Sequence, residues 1–187
     1  ASVFSNVRPG VSRHGYYAAF AREKLGDGNG ALQSYRALAL LARQLRQAFV
    51  YSTTEASVLH AIERSSGSGA DLDAASSRIA MSGLVPVSGG YAAFRHEQFQ
   101  TFFAAEDLLA THADIQAMIE SLKLPVHAEL REFVLGALTS SIDIEATVLA
   151  LGLHDLVGEC LVGHCGGEAQ KTVRDLCHAA IDRLATH

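Results

Sequence analysis

Several residue types and sequence features are scarce or missing in this chain of 187 residues, and each absence excludes a class of protein. There is no tryptophan and proline occurs only 3 times, which excludes a proline-rich fibrous or disordered chain. No apolar run approaches the roughly 20 residues that span a bilayer, and residues 1–10 lack the basic and apolar regions of a secretory signal. We therefore predict a protein without a membrane partner.

Cysteine is also scarce, since the chain has only Cys160, Cys165 and Cys177, all in its last third. An odd number of cysteines gathered in one region is not the pattern of a disulfide framework. We interpret them as reduced thiols and predict a cytoplasmic location.

Positive charge is in deficit: 15 Lys and Arg against 20 Asp and Glu give a formal net charge of −5 with histidine neutral. A chain of this sign does not concentrate the phosphates of nucleic acids or the headgroups of anionic lipids around itself. Hydrophobic residues nevertheless make up 49 % of the chain, enough for a substantial core. The composition is that of a globular protein without a DNA partner.

The well-defined catalytic and metal-binding signatures are missing as well. The chain has no G-x-x-x-x-G-K-[ST] phosphate loop, no H-E-x-x-H, no G-x-S-x-G and no C-x-x-C. The glycine-rich stretches at 26–30 and 65–69 lack the lysine of a phosphate loop, and we interpret them as helix connectors. We predict that this chain alone has neither an enzymatic activity nor a resident cofactor.

Apolar periodicity in the first half of the chain predicts helices followed by a hairpin. A short helix is expected over 12–25 and a long amphipathic one over 31–49. Residues 52–55, STTE, fit a capping box in which Ser52 caps a further helix. A helix over 72–82 comes next, and two extended runs then flank a glycine-rich turn at 88–90. The order helix, helix, hairpin is typical of a winged helix.

A stack of helices is predicted for the second half of the chain. We expect helices near 113–122, 127–140, 143–152, 154–165 and 168–186. The clearest apolar stripe is formed by Val173, Leu176, Cys177, Ala180, Ile181 and Leu184.

The predicted fold class is thus mainly α, with a winged-helix-like domain that has one short β-hairpin, followed by an antiparallel helical stack. The expected domains are a helical connector at 1–50, the winged-helix-like domain at 51–111, and the stack at 112–187.

Winged helices often bind DNA, but the charge of this one argues against that role. From residue 52 to residue 96 the formal charge is 3 − 4 = −1. The helix over 72–82, which would lie in the major groove, has a single arginine, Arg78. We therefore expect a protein-packing module.

Cysteine and histidine cluster near the end of the chain and could ligate a metal. Cys160 and His164 are four residues apart, which puts both on one face of a helix, and Cys177 could approach from the last helix. His154, Cys165 and His178 lie nearby in sequence. We favour core packing for these cysteines and predict no metal, with Cys160, His164 and Cys177 as the candidate ligands of an alternative zinc-binding helical domain.

One segment resembles a known family. Residues 94–105, FRHEQFQTFFAA, closely resemble the F-x-H-x-x-F-Q-E-[FY]-[FL]-A-A signature that closes the winged helix of NACHT-type signal-transduction ATPases, relatives of the NOD-like receptors. Residues 12–20 and the helix over 31–49 are similar to the segment that precedes the winged helix in that family. The resemblance covers residues from about 12 to 110, and Thr101 departs from it where an acidic residue is usual.

The resemblance implies a regulatory role in signal transduction, such as innate immunity or antiviral defence. It implies that His96 contacts the phosphate of ADP, with Arg95 and Gln100 in support, and that ATP or ADP with Mg²⁺ is held by a nucleotide-binding domain of the same or a companion chain. A protein trigger and a homo-oligomer are the other implied partners. The structural residues of the signature are Phe94, Phe99, Phe102 and Phe103.

A second hypothesis needs no nucleotide. The chain would then be an autonomous all-helical adaptor whose apolar stripes bind a partner protein. The switch, the adaptor and the zinc-binding domain are the three functions that the sequence leaves open.

Overall fold

The computed structural model describes residues 10–66, 71–112, 114–152 and 154–186. Part of the predicted connector at 65–69 and the first residue of the helix predicted at 113–122 lie outside these ranges. The chain divides into two compact units, Tyr17–Thr111 and a second one made of Ala1–Tyr16 with His112–His187. The three domains predicted from the sequence stay a prediction, and residues 17–50 lie in the same unit as residues 51–111.

The secondary structure is mainly helical with one small sheet, which confirms the predicted fold class. The unit Tyr17–Thr111 contains most of the helix Arg13–Leu25, and the other unit contains the helices from Ile115 to Ala185. The elements are α1 Arg13–Leu25, α2 Asn29–Gln47, β1 Ser52–Thr54, α3 Glu55–Ser65, α4 Leu72–Ser82, β2 Val87–Ser88, β3 Tyr91–Ala93, α5 Glu97–Thr111, α6 Ile115–Lys123, a 3₁₀ helix Pro125–Leu130, α7 Arg131–Ala137, α8 Ser141–Leu151, α9 His154–Leu161 and α10 Gly166–Ala185.

The unit Tyr17–Thr111 has the winged-helix order of elements. Its three strands form an antiparallel sheet in the order β1-β3-β2, with Thr53 and Val87 both paired with Ala92. Gly89 and Gly90 connect β2 to β3 with φ values of 58° and 79°. A two-residue hairpin turn with positive φ at both positions suits glycine, and this explains why the hairpin forms at the predicted place.

The predicted capping box at residues 52–55 is wrong. Ser52 lies in β1 and pairs with Ala93, while helix α3 begins at Glu55 with Thr54 as its cap. The side-chain oxygen of Thr54 accepts a hydrogen bond from the amide of Ser57 at 3.3 Å. The capping pattern is local, whereas the extended backbone of residues 52–54 is stabilised by a strand about forty residues further along the chain.

Helix α4 has the predicted bounds because both of its ends carry strong local signals. The carboxylate of Asp71 accepts a hydrogen bond from the amide of Ala74 at 2.9 Å, which caps the first turn. Gly83 follows the last turn with φ 66°, the left-handed conformation that ends many helices. Both residue types are local signals of helix ends that the sequence itself contains.

Helix α5 forms the centre of the winged-helix unit. Its residues 99–105 are all buried, and Phe102 and Phe103 are fully buried with ring centroids 5.0 Å apart. Tyr35 of α2 packs edge-on against Phe103 at 5.2 Å. Burying each of these rings contributes about 2 to 3 kcal/mol relative to exposure, so α5 is held firmly against α2.

The helical-stack unit has its own core, and residues 10–13 pack into it. Ser12 Oγ donates a hydrogen bond to the carbonyl of Gly136 at 2.7 Å, and the amide of Arg13 donates to the carbonyl of His164 at 2.8 Å. The core residues are Leu135, Ile144, Val148, Leu156, Cys160, Cys165, Ala169 and Val173.

Two predictions about the helical stack need correction. Instead of one helix over 127–140, the 3₁₀ helix Pro125–Leu130 precedes α7, which ends at Ala137. Proline suits the first turn of a helix because the amide hydrogen that it lacks would have no partner there, so the helical segment starts at Pro125. The stripe of α10 is buried only in its first half: Val173 is buried, whereas Ile181 and Leu184 are 61 % and 79 % exposed. Periodicity alone does not tell which part of an apolar face finds a partner.

Candidate functional site

The site suggested by the sequence lies at the junction of β3 and α5. Phe94 is buried immediately after β3, and the amide of Arg95 donates to the carbonyl of Leu84 at 2.9 Å, which fixes the backbone there. His96 is the residue directly before α5, and its carbonyl accepts from the amide of Phe99 at 2.9 Å. The hairpin and the helix start therefore determine where the imidazole emerges.

The imidazole of His96 is exposed to solvent. Its ring lies 6.4 Å from that of Phe99, with a tilt of 32° between the planes. Phe99 is buried, so its ring supports one side of the His96 ring and leaves the other atoms of the imidazole exposed. An imidazole in this position is open to a ligand.

Electrostatics at the start of α5 suit an anion. The first amides of a helix have no partner within the helix and point along the positive end of the helix dipole. Arg95 is exposed beside His96 and adds a positive charge, while Glu97, in the first turn, opposes it. Arg95 Nη1 would lie 3.6 Å from a Cβ placed on Gly83, so the guanidinium also lies close to the end of α4.

The other residues of the signature support this junction from inside. Gln100 is buried, and its side-chain amide donates to the carbonyl of Val50 at 3.4 Å. Phe94, Phe99, Phe102 and Phe103 are all buried, and Phe94 lies 5.8 Å from Phe103. Gln100 thus links α5 to Val50, in the loop that follows α2, and the four rings pack beneath the junction of β3 and α5.

A half-buried ion pair joins α2 to α5 within the same unit. Arg43 Nη1 lies 3.1 Å from Asp107 Oδ2, and the Asp107 side chain is only 15 % exposed. Burial raises the pKa of Asp107, and the charge of Arg43 opposes this effect. The pair therefore links α2 to α5 and is a structural feature rather than part of the site around His96.

A cleft of about 320 Å³ opens between α1 and α2 within the same unit. Tyr35 borders it, and burial together with the nearby carboxylate of Glu106 raises the pKa of the Tyr35 hydroxyl. Arg22 and Gly28 also line the cleft, whereas His96 does not. Sequence reasoning missed this cleft because its lining comes from three helices.

The structure buries Cys160 and Cys165 in the core of the helical-stack unit, whereas His164, which the sequence grouped with them, is exposed. Cys160 and Cys165 are both buried, and the hydrogen bond between the two thiols, together with burial, raises the pKa of Cys165. Cys177 packs half-buried on the edge of the same core. Within the described part of the chain, the group with metal-ligand spacing is Glu132, Glu159 and His164. Cys160, His164 and Cys177 are therefore not brought together as one ligand set.

Sequence reasoning missed both carboxylates of that group. Glu132 lies in the first turn of α7 and Glu159 near the end of α9. No spacing rule links positions 27 residues apart in separate helices, so only the tertiary structure could reveal them.

Comparisons with known proteins leave the family open. No model of a protein family matches the chain, and no significant match exists among curated proteins or solved structures. Among the described residues, no helix combines the length and the apolar character needed to cross a membrane. The relation of residues 94–105 to NACHT-type ATPases is therefore a hypothesis that rests on the signature and on the position of His96.

Proposed function

We propose that this chain is a non-catalytic switch module of a NACHT-type signal-transduction ATPase. The single observation that supports the proposal most is the placement of the signature: residues 94–105 begin right after the hairpin of a winged-helix fold, and His96 is exposed at the start of α5. The nucleotide-binding domain would be supplied by the same polypeptide or by a companion chain.

In this proposal His96 recognises a phosphate of ADP held by that domain. The residues fit an anion, because an exposed imidazole, the first amides of α5 and the guanidinium of Arg95 are neighbours. His96 donates an N–H to the phosphate, which favours the closed arrangement in which the winged helix covers the nucleotide. A hydrogen bond to a charged group contributes about 1.5 to 3 kcal/mol, which corresponds to a shift of roughly 10- to 150-fold in the equilibrium.

The other residues of the signature restrict the position of the His96 side chain. Phe99 supports the ring, and the buried Gln100 ties α5 to the carbonyl of Val50. A side chain held by a rigid base loses little entropy when it binds. Exchange of ADP for ATP would remove the preference for the closed arrangement and allow the winged helix to rotate and oligomers to assemble.

The test is the nucleotide content of the protein purified from its native cell, with any companion chain retained. The bound nucleotide is extracted and quantified at successive times after transfer to nucleotide-free buffer, for the wild type, for His96→Ala and for the control His60→Ala, an exposed histidine of α3 in the same unit. We expect ADP in the wild type and in His60→Ala, with at least a tenfold faster ADP release from His96→Ala. An ADP-free wild type, or equal release from all three, would overturn the proposal.

The adaptor remains a second candidate, and one observation favours it. The second half of α10 leaves Ile181 and Leu184 exposed, an apolar face of the kind that pairs with another helix. If this face pairs with the same face of a second copy, the wild type self-associates in sedimentation experiments and the double variant Ile181→Asp/Leu184→Asp does not. Self-association that survives in the variant would remove the support that α10 gives to the adaptor.

A further inference from the structure

Three side chains with metal-ligating atoms converge in the helical-stack unit. One ligand atom from each of Glu132, Glu159 and His164 lies within 4.8 Å of the other two. Glu132 comes from the first turn of α7 and Glu159 from α9, while His164 lies in the loop that connects α9 to α10. Atoms at such separations are close enough to share one ion after small side-chain movements.

Hydrogen bonds hold the backbone of His164 in place. The amide of His164 donates to the carbonyl of Glu159 at 3.0 Å, which closes the turn after α9. The carbonyl of His164 accepts from the amide of Arg13 at 2.8 Å. Two hydrogen bonds to the same residue make the loop position well determined, so the cluster is built by the fold.

The hydrogen bonding of the two carboxylates is incomplete. Oε2 of Glu132 accepts from Arg13 Nη1 at 2.8 Å, whereas Oε1 of Glu132 is buried and has no hydrogen-bond partner. Oε2 of Glu159 contacts Nδ1 of His164. A buried carboxylate oxygen without a partner is costly, and one in a carboxylate that lies beside two other potential metal ligands indicates a missing ligand.

The charge balance gives the sign of that ligand. Two carboxylates and one guanidinium leave a net charge of −1 when the imidazole is counted as neutral. The site is thus short of positive charge, and a cation supplies it.

We propose that Glu132, Glu159 and His164 bind a divalent transition-metal cation, with Zn²⁺ as the representative. One imidazole nitrogen and two carboxylate oxygens suit a metal of this class, while Mg²⁺ and Ca²⁺ prefer oxygen ligands alone. Three protein ligands leave at least one position for water or a further ligand. Arg13 keeps its contact with Oε2 of Glu132, so the ion takes the otherwise unsatisfied Oε1.

The buried thiols are close to this site but belong to the core. Cys160 is fully buried and Cys165 is 3 % exposed, and they hydrogen-bond to each other. Thiolate ligation would require both to leave that arrangement. The proposed site therefore uses nitrogen and oxygen ligands only, which distinguishes it from a cysteine-based zinc site.

The experiment measures Zn²⁺ binding to the chelator-stripped chain by competition with a chromogenic chelator. We expect one Zn²⁺ per chain in the wild type and at least a tenfold weaker affinity in Glu159→Gln and in His164→Ala. The matched controls are His178→Ala, an exposed histidine of α10, and Cys177→Ser, and both should bind as the wild type does.

Glu132→Gln tests the third ligand, and circular dichroism of each variant verifies that it is folded. A folded Glu132→Gln with wild-type affinity would remove Glu132 from the site. Co²⁺ provides a second readout, since the loaded protein should lack the thiolate-to-cobalt charge-transfer absorption of a cysteine site. Absence of Zn²⁺ binding in the wild type, or loss of binding in Cys177→Ser, would overturn the proposal.

Discussion

The ion pair between Arg43 and Asp107 makes a pH-dependent contribution to stability that can be measured. The two side chains are 36 % and 15 % exposed, with 3.1 Å between Nη1 and Oδ2. Breaking a fully buried pair costs about 3 to 5 kcal/mol, and an exposed pair contributes about 0.2 to 1 kcal/mol. Since this pair is intermediate, we expect Arg43→Met to lower the free energy of unfolding by about 1 to 2 kcal/mol near pH 7.5.

The sign of the pH dependence follows from Asp107. Burial raises its pKa in the folded chain, so the folded state binds the proton more tightly than the unfolded state does. The stability that this proton contributes is present below the unfolded pKa and is lost as the pH rises through the folded pKa. Without Arg43 the folded pKa rises further, so the deficit of the variant is small at acid pH and grows as the pH increases.

Urea unfolding followed by circular dichroism, at several pH values from the ordinary carboxyl pKa of about 4 up to pH 7.5, measures this deficit. Arg36→Met, an exposed arginine of the same helix, is the control and should change stability by less than about 0.5 kcal/mol. Adding Asp107→Asn to Arg43→Met should recover part of the loss at the highest pH, because it removes the unpaired charge. A deficit of equal size at every pH would refute the reasoning.

Two further predictions concern packing and capping. Phe102→Ala should cost about 3 to 5 kcal/mol in urea unfolding because the ring is fully buried between Tyr35 and Phe103, and a loss below about 1 kcal/mol would contradict the assigned core. Asp71→Ala should lower the free energy of unfolding by about 1 kcal/mol through the loss of a helix cap. Ser52→Ala should be nearly neutral, since Ser52 is exposed in β1 and caps no helix. A larger loss of stability in Ser52→Ala than in Asp71→Ala would support the capping box instead.

Local signals account for the parts of the fold that could be predicted. Asp71 and Gly83 mark both ends of α4, and Gly89 with Gly90 marks the hairpin turn, because each acts through its own backbone. The sheet shows the limit of such signals. Ser52 has the local features of a helix cap, and only its pairing with Ala93 turns its segment into a strand.

The candidate sites divide in the same way. The sequence identified His96 through a continuous segment, and the structure leaves its ring exposed beside the start of α5. Glu132 and Glu159 could not be identified, since their proximity to His164 depends on how α7 and α9 pack. A spacing of four residues drew attention to Cys160 instead, although its side chain lies in the core.

The arrangement of the two units has a consequence for synthesis on the ribosome. Every residue of the unit Tyr17–Thr111 is available once Thr111 has emerged, so this unit can fold while translation continues. The other unit must wait, because Ser12 and Arg13 hydrogen-bond to Gly136 and His164, which are made more than 120 residues later. We therefore expect a nascent chain stalled soon after α5 to protect its winged helix from protease and to leave residues 10–13 open to cleavage.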